Sequence, residues 1–155
     1  MVIKKKVSIE NVKFGKGVNI VEPVNLYGCE IGNNCFVGPY VEVQKNVIIG
    51  ENTRISSHSF ICELVQIGNN CFISHGVMFT NDLFKSGKIE RNSDSFLSTS
   101  IGDNVLIGSS STILPVKIID GCVIGAGSVV TKDLLKKGVY AGNPAKFIRT
   151  INESY

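Results

Sequence analysis

Residues 31–79 read IGNNCFVGPYVEVQKNVIIGENTRISSHSFICELVQIGNNCFISHGVMF, and along them a large apolar residue returns at every sixth position: Ile31, Val37, Val43, Ile49, Ile55, Ile61, Ile67, Ile73 and Phe79. A period of six does not match the 3.6-residue repeat of an amphipathic helix. A second regularity falls four residues after each of the first eight, where small or β-branched side chains stand: Cys35, Val41, Val47, Thr53, Ser59, Val65, Cys71 and Val77. Glycine often follows the aliphatic residue directly, and Asn or Asp comes next, as in IGNN, IGEN and IGDN. These are turn residues that tolerate the left-handed backbone region. The pattern predicts short strands joined by tight turns, arranged as a triangular prism with three hexads to a coil. The aliphatic residues would point at the axis, and coils would stack about 4.8 Å apart as parallel strands. Each coil then buries its apolar side only against its neighbours.

The register extends outward from this stretch. After a one-residue slip it runs back through Leu26, Ile20 and Phe14, and it resumes at Ile101, Ile107, Ile113, Ile118, Ile124 and Val130 with one further slip. Repeats are thus expected over about 14–79 and 101–135, within a single domain spanning 1–155. Between them lies TNDLFKSGKIERNSDSFLSTS at about 80–100, a polar insertion too long for an ordinary connection and therefore a candidate functional loop. The segment 136–155 reads as a connecting turn and a short C-terminal helix starting near Pro144, since proline suits the first helical position.

Bulk properties narrow the function. Sixteen basic against thirteen acidic residues give a formal charge of only +3, without the electrostatic footprint of a nucleic-acid binder. The five cysteines, Cys29, Cys35, Cys62, Cys71 and Cys122, show no CxxC spacing and sit among small or apolar neighbours, as reduced buried thiols would. The opening MVIKKKVSIE has lysines but no apolar h-region, and no run of about 18 apolar residues occurs. A cytoplasmic location without membrane insertion is expected. His75 occupies a corner just ahead of the insertion, and histidine is the residue type best suited to exchange protons under physiological conditions, which makes it the first candidate for proton handling. His58, one coil earlier, is a second candidate. The Gly-containing AGNPAK and GAGS segments lack the GxxxxGK[ST] frame of a phosphate loop.

The [LIV]-G-x-x-[STAVC]-x pattern over residues 14–149 resembles the hexapeptide-repeat acyltransferase superfamily. That resemblance implies an all-β fold, a left-handed parallel β-helix, whereas parallel crossovers are generally right-handed. The ending VIGAGSVVTKD followed by VYAGNPAKFIR resembles the part of such enzymes that lies beside the pantetheine and 3′-phosphate ADP of CoA. It implies acetyl-CoA as cosubstrate, held by Ser109, Gly125, Ala126, Lys132, Lys146 and Arg149. The stretch SSHSFICELVQIGNNCFISHGVMFTND at 56–82 is similar to N-acetyltransferases acting on the 3-amino group of nucleotide-linked deoxyamino sugars. It implies a dTDP- or UDP-linked amino sugar as acceptor, for surface polysaccharide or glycan biosynthesis, with His75 and Asn81 at the reacting centre and Glu63 and Asp82 near the sugar. An amide cannot serve as base, so Asn81 would hold a hydroxyl or the incoming amine. Among the basic residues of the insertion, Lys85, Lys88 and Arg91, the planar guanidinium of Arg91 best suits a diphosphate. The resemblance further implies a homotrimer with sites between subunits and no metal. Two histidines cannot supply the three zinc ligands of a γ-class carbonic anhydrase, which shares the fold. Two alternatives stay open: O-acetylation of a sugar or serine hydroxyl, with His75 as true base, and a noncatalytic structural prism.

Overall fold

The protein is described by a computed structural model covering residues 1–88 and 93–151. Its short strands stack in three parallel faces of a left-handed β-helix. Face I carries Ile9–Glu10, Asn25–Tyr27, Glu42–Val43, Phe60–Ile61, Met78–Phe79, Thr112–Ile113 and Val129–Val130. Face II runs from Lys13–Phe14 to Lys117–Ile118, and face III from Asn19–Ile20 to Val139–Ala141. Equivalent aliphatic residues sit directly over one another: Leu26 on Val43, Ile31 on Ile49, Val37 on Ile55 and Phe79 on Ile113. They form one apolar column, fully buried from Leu26 to Val130. At two second inward positions that carry a hydroxyl, the backbone of the next coil accepts it. Thr53 Oγ1 donates to Gly68 O at 2.9 Å, and Ser59 Oγ to Ser74 O at 2.9 Å.

The prism is longer than the repeat pattern indicates. It begins at Ile9, which pairs with Leu26, and it continues past 135 to Tyr140, which pairs with Ile124. The end coils are covered on one side only, so Phe14 stays exposed while Ile31 above it is buried. Among the described residues the expected C-terminal helix is absent. Val139–Ala141 instead pairs antiparallel with Lys146–Arg149, and Pro144 sits in the turn after a cis peptide bond to Asn143. The last coil leaves a strand edge that must be paired or covered. The returning strand does so, and Phe147 packs edge-on against Tyr140 with ring centroids 5.5 Å apart.

The turn motif also divides its work differently from the expectation. In IGNN the left-handed residue is the second Asn: Asn34, Asn52, Asn70 and Asn104 have φ of 54–57°. The glycine before it has an ordinary φ and is required by space. A Cβ on Gly32 would lie 2.8 Å from Glu51 N, and one on Gly50 would lie 2.7 Å from Asn69 Oδ1. The residue between them reaches back across this gap to the preceding coil. Asn69 Oδ1 accepts from Glu51 N at 2.8 Å, Asp103 Oδ1 from Asn69 N at 2.7 Å, and Asp120 Oδ1 from Asp103 N at 2.9 Å.

Chain length varies at one corner only. From face II to III and from face III to I the aliphatic step is always six, as in Ile67 to Ile73 to Phe79. The steps from Leu26 to Ile31, Ile113 to Ile118 and Val130 to Leu134 are shorter, and the insertion follows Phe79. All four lie at the corner between faces I and II. Gly32→Ala is expected to lower stability by about 1–3 kcal/mol, the usual cost of overpacking, through displacement of the next coil. Urea unfolding measures it, and an unchanged midpoint would contradict the steric account of this glycine column.

Candidate functional site

Two corners of the prism gather the candidate residues. At the III/I corner Ser57, His75, Ser109 and Ala126 form one vertical column, because Gly76 N donates to Ser57 O at 3.0 Å, Ser110 N to His75 O at 2.9 Å and Gly127 N to Ser109 O at 2.8 Å. Gly125 lies in the same corner, one residue before Ala126. The His75 ring is exposed, and no described side chain bonds it. Directly before it, Ser74 is buried and its Oγ lies 2.7 Å from Ser109 Oγ. His58 belongs to this corner but not to this column. It takes the left-handed position, φ 63°, and its ring stacks on Tyr40 at 4.9 Å.

The I/II corner holds a polar network under the insertion. Glu63 is buried; Asn46 Nδ2 donates to its Oε1 at 2.9 Å and Lys45 Nζ lies 3.6 Å from its Oε2. Gln44 Oε1 accepts from the Glu63 backbone N at 3.2 Å. Asn81 Nδ2 donates to Glu63 O at 3.4 Å, which turns the amide so that its Oδ1 is left as an acceptor. Beside it opens a cleft of about 390 Å³ with Phe60, Phe84 and Phe96 among its walls and Asn81 and Asp82 at its edge. Asp82 Oδ1 accepts from Phe84 N at 2.7 Å, with Phe84 at φ 51°. The carboxylate expected near the sugar thus stands at the edge of the cleft and also orders the loop that presents Phe84.

His75 and Asn81 are thus brought to adjacent corners and not to one point. They are six residues apart along an extended face, at most roughly 20 Å. The CoA candidates divide in the same way. Ser109, Gly125 and Ala126 share the His75 corner, whereas Lys132 follows Val130 into the I/II corner. Lys146 and Arg149 are exposed at the two ends of the returning strand on face III. Arg91 lies outside the described residues. Sequence reasoning missed Gln44, Phe84 and Ser74. Only Ser74 left a signal: with Ser56 it replaces the glycine that Gly38, Gly108 and Gly125 supply at the same place in that corner.

Residues 28–63 match the pattern described as bacterial transferase hexapeptide (six repeats), and residues 98–132 match the hexapeptide repeat of succinyl-transferase. Galactoside O-acetyltransferase of Escherichia coli (strain K12) is 54% identical over 55 residues, which are 35% of this chain and 27% of that protein. Putative acetyltransferase YvoF of Bacillus subtilis (strain 168) is 50% identical over 54 residues, 34% of this chain and 31% of that one. The chain thus spans about a quarter to a third of the length of the curated relatives it matches. Among solved structures, a galactoside acetyltransferase in complex with coenzyme A aligns with TM-score 0.69 at 36% identity, covering 79% of this chain and 65% of that one. AntD, an N-acyltransferase from Bacillus cereus solved with dTDP and coenzyme A, shares the fold with TM-score 0.82 at 22% identity, over 91% of this chain and 84% of that one. The chain thus has the left-handed β-helix architecture of hexapeptide repeats and is similar to acyltransferases that carry such repeats.

The thiols of this core are chemically quiet. Burial pushes Cys62, beside the cleft, up to about 12 and Cys29 up to about 11. A thiol whose folded value is raised contributes stability that is complete below the unfolded value and disappears as pH rises through the folded one. Stability should therefore fall between about pH 9 and 12, and Cys62→Ala should flatten that decline. Thermal unfolding against pH measures this; equal alkaline slopes for both proteins would contradict it.

Proposed function

We propose that the protein is an acetyl-CoA-dependent acyltransferase whose acceptor is the 3-amino group of a dTDP- or UDP-linked deoxyamino sugar, serving glycan biosynthesis in the cytoplasm. The observation that carries the reading is the column His75, Ser109 and Ala126 on one corner, with the Glu63–Asn81 network and its aromatic-walled cleft on the next. The amine nitrogen adds to the thioester carbon and forms the C–N bond, the C–S bond then breaks, and the amine proton ends on the departing CoA sulfur. Asn81 Oδ1 accepts from an N–H of the amine and aims its lone pair. His75, exposed at its corner, relays the proton. A sugar amine enters partly neutral, so a strong base is unnecessary. Glu63 holds Asn81 in place, and Arg91, from the insertion, meets the diphosphate.

Since His75 and Asn81 occupy different corners, a site using both needs a second copy whose I/II corner meets the first copy's III/I corner. The same meeting gathers Lys132 with Ser109, Gly125 and Ala126, while Lys146 and Arg149 reach the CoA phosphates from the end of the prism. A homotrimer satisfies this with three equal sites. Apolar side chains on the outside of face III, Phe72 and Leu106, with Arg54 over the Phe36 ring at 3.9 Å, supply a surface suited to a neighbouring copy.

O-acetylation is the second reading, and it is favoured by the similarity to galactoside O-acetyltransferase. The two separate on His75, since a hydroxyl must be deprotonated and an amine need not be. In a thiol-release assay with acetyl-CoA, we expect CoA release with nucleotide-linked 3-amino sugars and not with galactosides, maltose or serine. For His75→Ala we expect a loss of about 10²-fold, within the range of general acid–base contributions, with measurable activity left. Release with hydroxyl acceptors alone, abolished in His75→Ala, would establish the second reading in place of the first.

A further inference from the structure

The III/I corner contains a hydroxyl pair that the repeat does not require. At the position where Gly38, Gly108 and Gly125 stand, the two coils around His75 carry Ser56 and Ser74. Ser74 is 9% exposed, and its Oγ has one partner, Ser109 Oγ at 2.7 Å, in the coil that stacks next to it. A hydroxyl has a single proton, and a buried donor left unpaired costs about 1–3 kcal/mol. Either hydroxyl can donate in this pair, and the arrangement with Ser74 as donor is the one that satisfies the buried proton and leaves the Ser109 O–H free. Ser109 is only half-buried, in the column directly next to His75. A hydroxyl that accepts one hydrogen bond is a stronger donor in the next.

We propose that Ser74 is a positioning residue whose buried hydroxyl orients Ser109, so that Ser109 O–H donates to the carbonyl oxygen of the bound thioester. The inference rests on the acyltransferase reading above and deepens it. As the acceptor nitrogen adds to the thioester carbon, the carbonyl oxygen becomes an oxyanion facing the Ser109 O–H. When the C–S bond breaks, the double bond to oxygen re-forms and the sulfur leaves as CoA. Ser109 keeps its proton throughout and contributes a dipole only. Transition-state stabilisation of this kind needs no rearrangement of the donor during reaction, and a fixed Ser74 bond provides that preorganisation.

The test reads the thioester directly and needs no acceptor. Acetyl-CoA labelled with 13C at the acetyl carbonyl is bound to the full chain, and the carbonyl stretch is followed by difference infrared spectroscopy. The wild type should move the band to lower frequency than in water. Ser109→Ala should abolish the part due to the hydroxyl, and Ser74→Ala should diminish it without changing acetyl-CoA affinity more than about twofold, because the positioning bond is not itself a ligand contact. Ser56→Ala is the control for tolerance of alanine in this column. Its Oγ is buried without a partner, so removing it should leave the band unchanged. In acetyl transfer, Ser109→Ala should lower kcat by about 10²-fold and Ser74→Ala by about tenfold, on the scale of a lost or misaligned oxyanion donor. In Ser109→Ala the Ser74 change should add nothing further. A Ser74→Ala band identical to wild type, or additive losses in the double variant, would overturn the positioning role while leaving the acyltransferase reading standing. Failure of the wild type to bind acetyl-CoA would fell both.

Discussion

Everything in this molecule follows from coil stacking. No coil has a core of its own; an aliphatic residue such as Ile55 is covered only because Val37 and Ile73 bracket it on the same face. Backbones must then repeat in height at every corner, which leaves very little room between successive turns. The glycine column at the II/III corner is the direct result, since a Cβ on Gly15, Gly32, Gly50 or Gly68 would enter the next coil. So is the run of Asn and Asp side chains that cross this gap to the backbone N–H of the coil before. Stacking thus sets not only the core but the chemistry permitted at each corner.

That constraint explains what the sequence could reveal. A six-residue period is written in the chain itself, so the prism, its axis-facing residues and the site of the insertion were legible from Ile31 to Phe79. The ends were less so, because a terminal coil relaxes the pattern: Phe14 and Tyr140 occupy aliphatic positions, Phe14 exposed at one end and Tyr140 buried at the other under the returning strand. Pro144 read as a helix start because composition alone offers no sign of an unpaired strand edge at Val139–Ala141, and it was that edge that recruited Lys146–Arg149. The glycine of IGNN was likewise visible while its reason was not, since the clash comes from a coil eighteen residues away, as with Gly32 and Gly50.

For the candidate site the same distinction holds. His75 could be placed at a corner by counting from Ile73, and Asn81 at the start of the insertion by counting from Phe79. Contacts between coils could not be counted. Ser74 meets Ser109 across 35 residues that include the whole insertion, and the bond exists only because Thr99–Ile101 resumes on Val65–Ile67 as if nothing had intervened. Asp82 carries a part that only the structure shows: at the edge of the cleft its Oδ1 also accepts from Phe84 N two residues on, a local turn bond.

Restricting length variation to one corner separates two demands on the prism. The II/III and III/I corners keep their six-residue step throughout, so their columns stay in line, and a group placed there, such as the Ser74–Ser109 pair, is fixed by many coils at once. The I/II corner lacks a glycine column and absorbs slips at Ile31, Ile118 and Leu134 as well as the insertion. Residues grafted there disturb the register of neither other corner, because Met78–Phe79 still pairs with Thr112–Ile113 below. An invariant chemistry is best held on the strict corner, while recognition of a particular acceptor can change on the permissive one without touching it. The division of His75 from Glu63 and Asn81 is therefore what this architecture favours.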